Sequence, residues 1–192
     1  MIEKIGLGLI LIFFILAFAI RNIKTYISTK QSIRGKSLKL TVSILTSTII
    51  YLVILLRLTI LKPNWILELD FEIFEKFKLL GYGLVILGFG LGVLALIAMK
   101  NSWRVGIKYE QKTELVSTGI YRISRNPYFL SYSVLILGYI LIFPSLILIG
   151  LLIILATVFH KMILEEEKYL ESIHGNMYLD YKRKVNRYIT LR

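Results

Sequence analysis

Five long apolar runs, none containing a charged residue, constrain the fold more than any other feature of this 192-residue chain. They cover residues 5–20, 40–56, 79–99, 128–143 and 146–159. A helix that crosses a bilayer needs about 20 mostly apolar residues, with a range of about 17 to 25, so the third run suffices alone and the others need flanking residues. The pattern predicts an all-α integral membrane protein with five transmembrane helices.

The fourth and fifth runs are separated only by Pro144 and Ser145. This spacing predicts that the last two helices form a tight hairpin, because proline interrupts the helical hydrogen bonds. The alternative is one long broken helix. It would extend about 48 Å, well beyond a hydrocarbon core of about 30 Å, so we favour the hairpin.

The lysines and arginines are unevenly distributed between the two predicted faces of the membrane. Of the 24, 19 fall on segments that share one face and 5 on the other. The positive-inside rule therefore predicts that the N-terminus is outside and the C-terminus cytosolic. A signal peptide ending near residues 17–19 is the alternative for the first run, but its cleavage would leave the basic stretch 21–39 outside. The net charge of +12 thus indicates topology, and we expect no nucleic-acid partner.

Several other patterns limit the function. The chain has no cysteine and two histidines, so we expect no metal site. The external segment 62–78 alternates charged and apolar residues and predicts an interfacial helix, with Trp65, Phe71 and Phe74 touching lipid. Glycines in the third run resemble a phosphate-binding loop, but they lie inside an apolar helix, where Gly88 and Gly92 are expected to allow close helix packing.

Two polar segments, 115–128 and 165–185, flank the predicted hairpin. The hairpin brings Asn126 and Glu166 to the same membrane depth, so we expect them to face each other. Pro127 fits the first turn of the fourth helix, whose free N–H groups attract anions. Opposite that helix end, residues 165–167 are glutamates that suit ribose hydroxyls or a cation. The alternative is that these glutamates pair at helical spacing with Lys161 and Lys168.

At these residues the sequence resembles the isoprenylcysteine carboxyl methyltransferase family, integral membrane enzymes that use S-adenosylmethionine. The resemblance covers about residues 100–190 and includes two motifs in the same order. Asn126, Phe129 and Ser131 stand where the family has His, Tyr and Gly. The matching residues are Leu115, Val116, Gly119, Tyr121, Arg125 and Pro127 in the first motif, and Glu166, Glu167, Leu170, Gly175, Tyr178 and Tyr181 in the second.

The sequence shows no internal repeat, low-complexity tract or soluble-domain linker, so we expect one membrane domain over residues 1–192. The resemblance implies a cofactor-binding and catalytic core over 100–192. It implies a pocket for S-adenosylmethionine that opens to the cytosol for the cofactor and to the bilayer for a lipophilic acceptor. Arg125, which would orient an anionic acceptor, and Glu167 are the expected catalytic residues. The expected cofactor-binding residues are Leu115, Val116, Gly119, Tyr121, Asn126, Pro127, Phe129 and Glu166.

The acceptor implied by the resemblance is a carboxylate on an isoprenylcysteine-like lipid. A phospholipid or other amine is the first alternative, with the same cofactor. A nicotinamide-dependent reductase is the second, because membrane sterol reductases have a similar Arg-Asn-Pro-x-Tyr stretch, and a non-catalytic membrane subunit is the third. We expect a multi-pass protein of the cell membrane in a prokaryote or of the endoplasmic reticulum in a eukaryote, with membrane lipid as its environment and source of substrate.

Overall fold

The computed structural model describes residues 2–59, 67–69, 72–107 and 114–190. Within these ranges the regular secondary structure is helical, apart from isolated bridges between single residues. Two 3-10 turns, Lys100–Ser102 and Gly119–Arg122, lie between the third and fourth α-helices. The α-helices are α1 (Ile2–Thr29), α2 (Leu38–Leu58), α3 (Glu72–Met99), α4 (Pro127–Ile142), α5 (Leu146–His174) and α6 (Asn176–Lys184).

Four helices, α1, α2, α3 and α5, are long and apolar enough to cross a membrane. The chain is therefore an all-helical, multi-pass membrane protein. The fifth predicted span corresponds to α4, which is apolar but has only 16 residues. At about 1.5 Å per residue α4 is about 24 Å long, which is shorter than a hydrocarbon core of about 30 Å. Five crossings and the outside N-terminus stay predictions.

The fourth and fifth apolar runs form two antiparallel helices, because residues before α4 bond to residues near the end of α5. The turn between them is bonded by a short non-helical segment, Leu67–Leu69. Leu69 N donates to Pro144 O at 3.0 Å, and Leu146 N donates to Leu67 O at 3.1 Å. These bonds satisfy main-chain groups that the break between the helices leaves free.

Glycines bring α3 and α4 into close contact, as the sequence predicted. A Cβ added at Gly88 would lie 2.5 Å from Leu135 N, and one added at Gly92 would lie 3.0 Å from Ser131 Oγ. From the α4 side, a Cβ at Gly138 would lie 2.7 Å from Val85 N. Small residues at these contacts let two apolar helices approach each other within a membrane, where packing rather than water drives association.

The expected interfacial helix over 62–78 is wrong for the part that the structure describes. Leu67–Leu69 is not helical, and Glu72 begins the long helix α3, so the residues up to Lys78 are the first turns of that spanning helix. The acidic residues there suit the positive end of the helix dipole. Phe74 lies within α3, whereas Trp65 and Phe71 are outside the described residues.

Helix α1 is an integral part of the bundle. Leu11 and Phe14 are almost completely buried in the core that α1 shares with α2, α4 and α5. Tyr139 of α4 donates its hydroxyl hydrogen to Leu7 O at 2.6 Å, which joins the two helices by a buried hydrogen bond. These contacts are those of a helix that forms part of the folded bundle.

The α3–α4 contact generates a stability prediction. Gly88→Ala should lower the free energy of unfolding by about 1–3 kcal/mol, because its new methyl group meets the α4 backbone and forces the helices apart. Gly83→Ala is the matched control, since a Cβ at Gly83 meets nothing within 4 Å. Thermal unfolding of both variants in detergent measures the difference. Equal melting temperatures would contradict this account of the contact.

Candidate active site

A cavity of about 320 Å³ lies at the end of the bundle where α4 begins and α5 leaves its apolar run. Its volume is within the range of about 300–1,000 Å³ that is typical of ligand pockets. The walls come from four regions of the chain, namely residues 36–37, 99–107, 114–129 and 162–181. The two polar segments that flank the hairpin thus line one pocket together with residues 36–37 and 99–107.

Most of the residues predicted from the sequence line this cavity, and Asn126 and Glu166 both do so. Gly119 and Pro127 do not. Gly119 has a φ of +61°, which favours glycine and starts the turn that leads to Tyr121. Pro127 is buried in the first turn of α4. The predicted residues that line the cavity are Leu115, Val116, Tyr121, Arg125, Asn126, Phe129, Glu166 and Glu167.

Glu167 is held by two arginines from different parts of the chain. Its Oε1 accepts from Arg125 Nη2 at 2.7 Å and from Arg187 Nε at 3.0 Å, and its Oε2 accepts from Arg187 Nη2 at 2.8 Å. The side chains of Arg125 and Glu167 are only 7% and 6% exposed, so this pair is shielded from water. The hydrogen bond to Glu167 raises the pKa of Arg187. Three segments therefore meet at one carboxylate.

Arg125 uses both of its terminal nitrogens on groups of its own chain, whereas its buried Nε has no hydrogen-bond partner among the described residues. Besides the bond to Glu167, its Nη1 donates to Lys182 O at 3.1 Å. An acceptor carboxylate that used the Arg125 fork would have to displace Glu167. The role of Arg125 in orienting an anionic acceptor stays a prediction, and the described contacts make it the residue that fixes Glu167.

Glu166 differs from both neighbouring glutamates. It lines the cavity, is half-buried, and forms no hydrogen bond or ion pair with any described residue. Glu165 pairs with Lys39 at the start of α2, and Glu167 pairs with the two arginines. None of the three pairs with Lys161 or Lys168 among the described contacts, so the alternative of helical-spacing pairs is wrong. A half-buried carboxylate without a partner is suited to a cationic or hydrogen-bond-donating ligand.

Aromatic rings form the apolar wall of the cavity. Tyr128 packs against Trp103 with ring centroids 5.1 Å apart, and it stacks with Phe18 on α1 at 5.9 Å. Phe129 contacts Phe159 on α5 at 4.7 Å. These rings are fixed by packing between helices, so they offer a rigid surface to a planar or cationic ligand.

A tyrosine cluster supports the turn that carries the first motif. Tyr181 on α6 donates its hydroxyl hydrogen to Tyr121 O at 2.6 Å, and Tyr178 packs beside it. Burial raises the pKa of Tyr121, and the negative charge of Glu166 adds to that effect. Burial also raises the pKa of Tyr178, with a contribution from Glu167. The phenols therefore stay protonated at neutral pH, and the buried hydroxyl of Tyr178 has no hydrogen-bond partner among the described residues.

The sequence analysis did not predict the part of the cavity wall that is formed by residues before α2 and by residues directly after α3. Lys36 and Ser37 precede α2, and Trp103 and Arg104 follow α3. The two stretches are joined because Val105 N donates to Ile33 O and Gly35 N donates to Val105 O, both at 2.9 Å. Pairing between distant loops has no local sequence signal, although a tryptophan between polar residues directly after a span was a usable hint.

The comparisons with known proteins identify the family of the chain. The sequence model of the phospholipid methyltransferase (PEMT) family matches residues 77–177, which is more than half of the chain. No curated protein matches the chain. The chain belongs to the phospholipid methyltransferase family, which confirms the resemblance to integral membrane methyltransferases. It is therefore a methyltransferase, and the reductase and non-catalytic alternatives are set aside.

The tyrosine cluster generates a second prediction. Tyr181→Phe should lower the free energy of unfolding by about 1–3 kcal/mol, because the buried Tyr121 oxygen loses its donor. Tyr26→Phe is the control, since Tyr26 is 57% exposed and its hydroxyl has no described partner. Denaturation in detergent, followed by tryptophan fluorescence, compares the two variants. A Tyr181→Phe variant as stable as Tyr26→Phe would show that the hydrogen bond does not support the turn.

Proposed function

We propose that the chain transfers a methyl group from S-adenosylmethionine to a lipophilic acceptor, with both molecules meeting in the cavity at the start of α4. The single observation that carries this proposal is Glu166, a carboxylate without a described partner that lines a cavity with rigid aromatic walls. Membership of the family indicates the class of reaction, and the cavity is where we propose that the reaction takes place.

The residues around the cavity fit the proposed cofactor chemically. S-adenosylmethionine carries a sulfonium and an ammonium, a carboxylate, ribose hydroxyls and an adenine ring. Glu166 suits either a cationic group or the ribose hydroxyls, and the rings of Tyr128 and Phe129 suit adenine or the sulfonium. The first turn of α4 has main-chain N–H groups without helical partners, and such a helix end suits the cofactor carboxylate.

When bound, the cofactor supplies a methyl group on positively charged sulfur that a nucleophile can displace directly. The protein needs no covalent bond to either molecule. Its task is to align the acceptor with the methyl group and to keep water out. In our proposal Glu166 and the aromatic wall hold the donor, while Arg125 and Glu167 fix the cavity wall behind it.

The charges around the cavity favour an amine acceptor on a phospholipid over a carboxylate. Glu114 lines the cavity and has no described partner, so beside a donor held by Glu166 it would attract a cationic headgroup and repel a carboxylate. In our proposal Glu114 also accepts the proton that the ammonium loses before its nitrogen attacks the methyl group, as the bond from carbon to sulfur breaks and S-adenosylhomocysteine leaves. Lys36 lines the same cavity and suits a lipid phosphate. The description of the matched family, phospholipid methyltransferase, points the same way. The carboxylate acceptor implied by the motifs is the second candidate, and it requires Arg125 to leave Glu167.

We also propose that the cavity opens toward the cytosol. The argument is the positive-inside rule, because the residues that line the cavity lie in or next to the polar segments 21–39, 100–127 and 160–192, which carry 19 of the 24 lysines and arginines. In this orientation a water-soluble methyl donor enters from the cytosol, and the acceptor stays within the inner leaflet of the membrane.

Cofactor binding gives a direct test. Calorimetric titration of detergent-purified protein with S-adenosylhomocysteine should detect binding to the wild type. Glu166→Gln should weaken it about tenfold or more, because a charged hydrogen bond is lost. Glu171→Gln is the control on the same helix, since Glu171 is 43% exposed and pairs with Lys182 outside the cavity. Equal affinities of the two variants would remove Glu166 from the donor site.

The acceptor is tested separately. Protein incubated with methyl-labelled S-adenosylmethionine and a lipid extract from its native host should transfer the label to a lipid. Base should leave the label on nitrogen if the acceptor is an amine, whereas release of labelled methanol would identify a methyl ester and support the carboxylate. Glu166→Gln serves as the low-activity control. If the label reaches no lipid while S-adenosylhomocysteine still binds, the lipophilic acceptor is wrong.

A further inference from the structure

Arg187 contacts two walls of the cavity without lining the cavity itself. Its guanidinium donates to both carboxylate oxygens of Glu167 on α5, at 3.0 and 2.8 Å. Its main-chain oxygen accepts hydrogen bonds from Asn126 Nδ2 and Ser124 Oγ, both at 3.3 Å. Arg187, which follows α6, is therefore bonded both to Glu167 on α5 and to Asn126 at the start of α4.

The backbone around Arg187 is held by bonds that do not involve its side chain. Arg125 N donates to Asn186 O at 3.1 Å, and Thr190 N donates to Ile123 O at 2.8 Å. The segment that follows α6 thus lies along the residues that precede α4. A change of the Arg187 side chain removes the guanidinium but leaves this main-chain attachment in place.

The guanidinium matters because Glu167 and Glu166 are neighbours on one helix. Successive residues of an α-helix are about 100° apart around its axis, so the direction of one side chain fixes the direction of the next. Arg125 and Arg187 together hold Glu167 against the segment before α4, and Glu166 then faces the cavity. Without Arg187, Glu167 keeps one arginine and loses the bidentate contact that restrains its carboxylate.

We propose that Arg187 is a positioning residue of the methyl-donor site. It acts through Glu167 to direct Glu166 into the cavity, and its carbonyl oxygen orients the side-chain amide of Asn126. The inference rests on the proposed function, because it assumes that the donor binds between Asn126 and Glu166. It extends the site beyond the motif residues to a segment that the motifs do not include.

Calorimetric titration of the full chain with S-adenosylhomocysteine tests the proposal. Arg187→Gln should bind about tenfold more weakly than the wild type, because two charged hydrogen bonds to Glu167 are lost. Arg187→Lys should lose less affinity, since it restores the charge but not the bidentate geometry. Arg122→Gln is the matched control and should bind as the wild type does, because Arg122 is exposed and has no described partner.

A double-variant cycle separates positioning from general stabilisation. In a Glu167→Gln background, Arg187→Gln should cause no further loss of affinity, because the route through Glu167 is already removed. A further loss in the double variant overturns the proposal, as does equal affinity of Arg187→Gln and the wild type. If Arg187→Gln does not fold, Arg187→Lys is compared with Arg122→Lys, and equal affinities again overturn it. Failure of the wild type to bind would instead refute the proposed function.

Discussion

The structure depends on one buried carboxylate that joins three separate segments. Glu167 on α5 binds Arg125 from before α4 and Arg187 from after α6. Burying these charges is unfavourable unless each has partners, and removing one partner of such a cluster typically costs about 3–5 kcal/mol. The paired charges therefore keep the open ends of the two antiparallel helices together on the side where the cavity lies.

Much of the architecture could be predicted from local sequence patterns. Uncharged runs predicted the helices, and glycines within the third run predicted close helix packing, because both signals depend only on residues near each other in the chain. The structure identifies α4 as the helix packed against them. The motif residues on either side of the hairpin were predicted to converge for the same reason, since only two residues separate the last two runs. Asn126 and Glu166 accordingly line one cavity.

The remaining features arise from pairing between distant segments, which leaves no periodic signal. Lys36 reaches the cavity because its loop pairs with Val105, and Arg187 reaches Glu167 because its segment lies along Ile123 and Arg125. The interfacial helix was wrong for a related reason. Charges before the third run marked the first turns of α3, and a charge pattern alone does not distinguish a separate surface helix from the polar end of a long one.

The short length of α4 has a consequence for the electrostatics of the site. With 16 residues beside the 28 of α3, α4 leaves about 18 Å of helix length unmatched. Gly92 of α3 lies against Ser131 near the start of α4, so the two helices reach nearly the same level beside the cavity, and most of the difference lies at the end where Leu67–Leu69 bonds the turn. The first turn of α4 therefore lies at the cavity, beside the buried pair of Arg125 and Glu167. Where water is largely excluded, an unpaired carboxylate is costly to bury, and a cationic ligand that pairs with it removes that cost, so the charge of Glu166 is coupled to occupancy of the cavity.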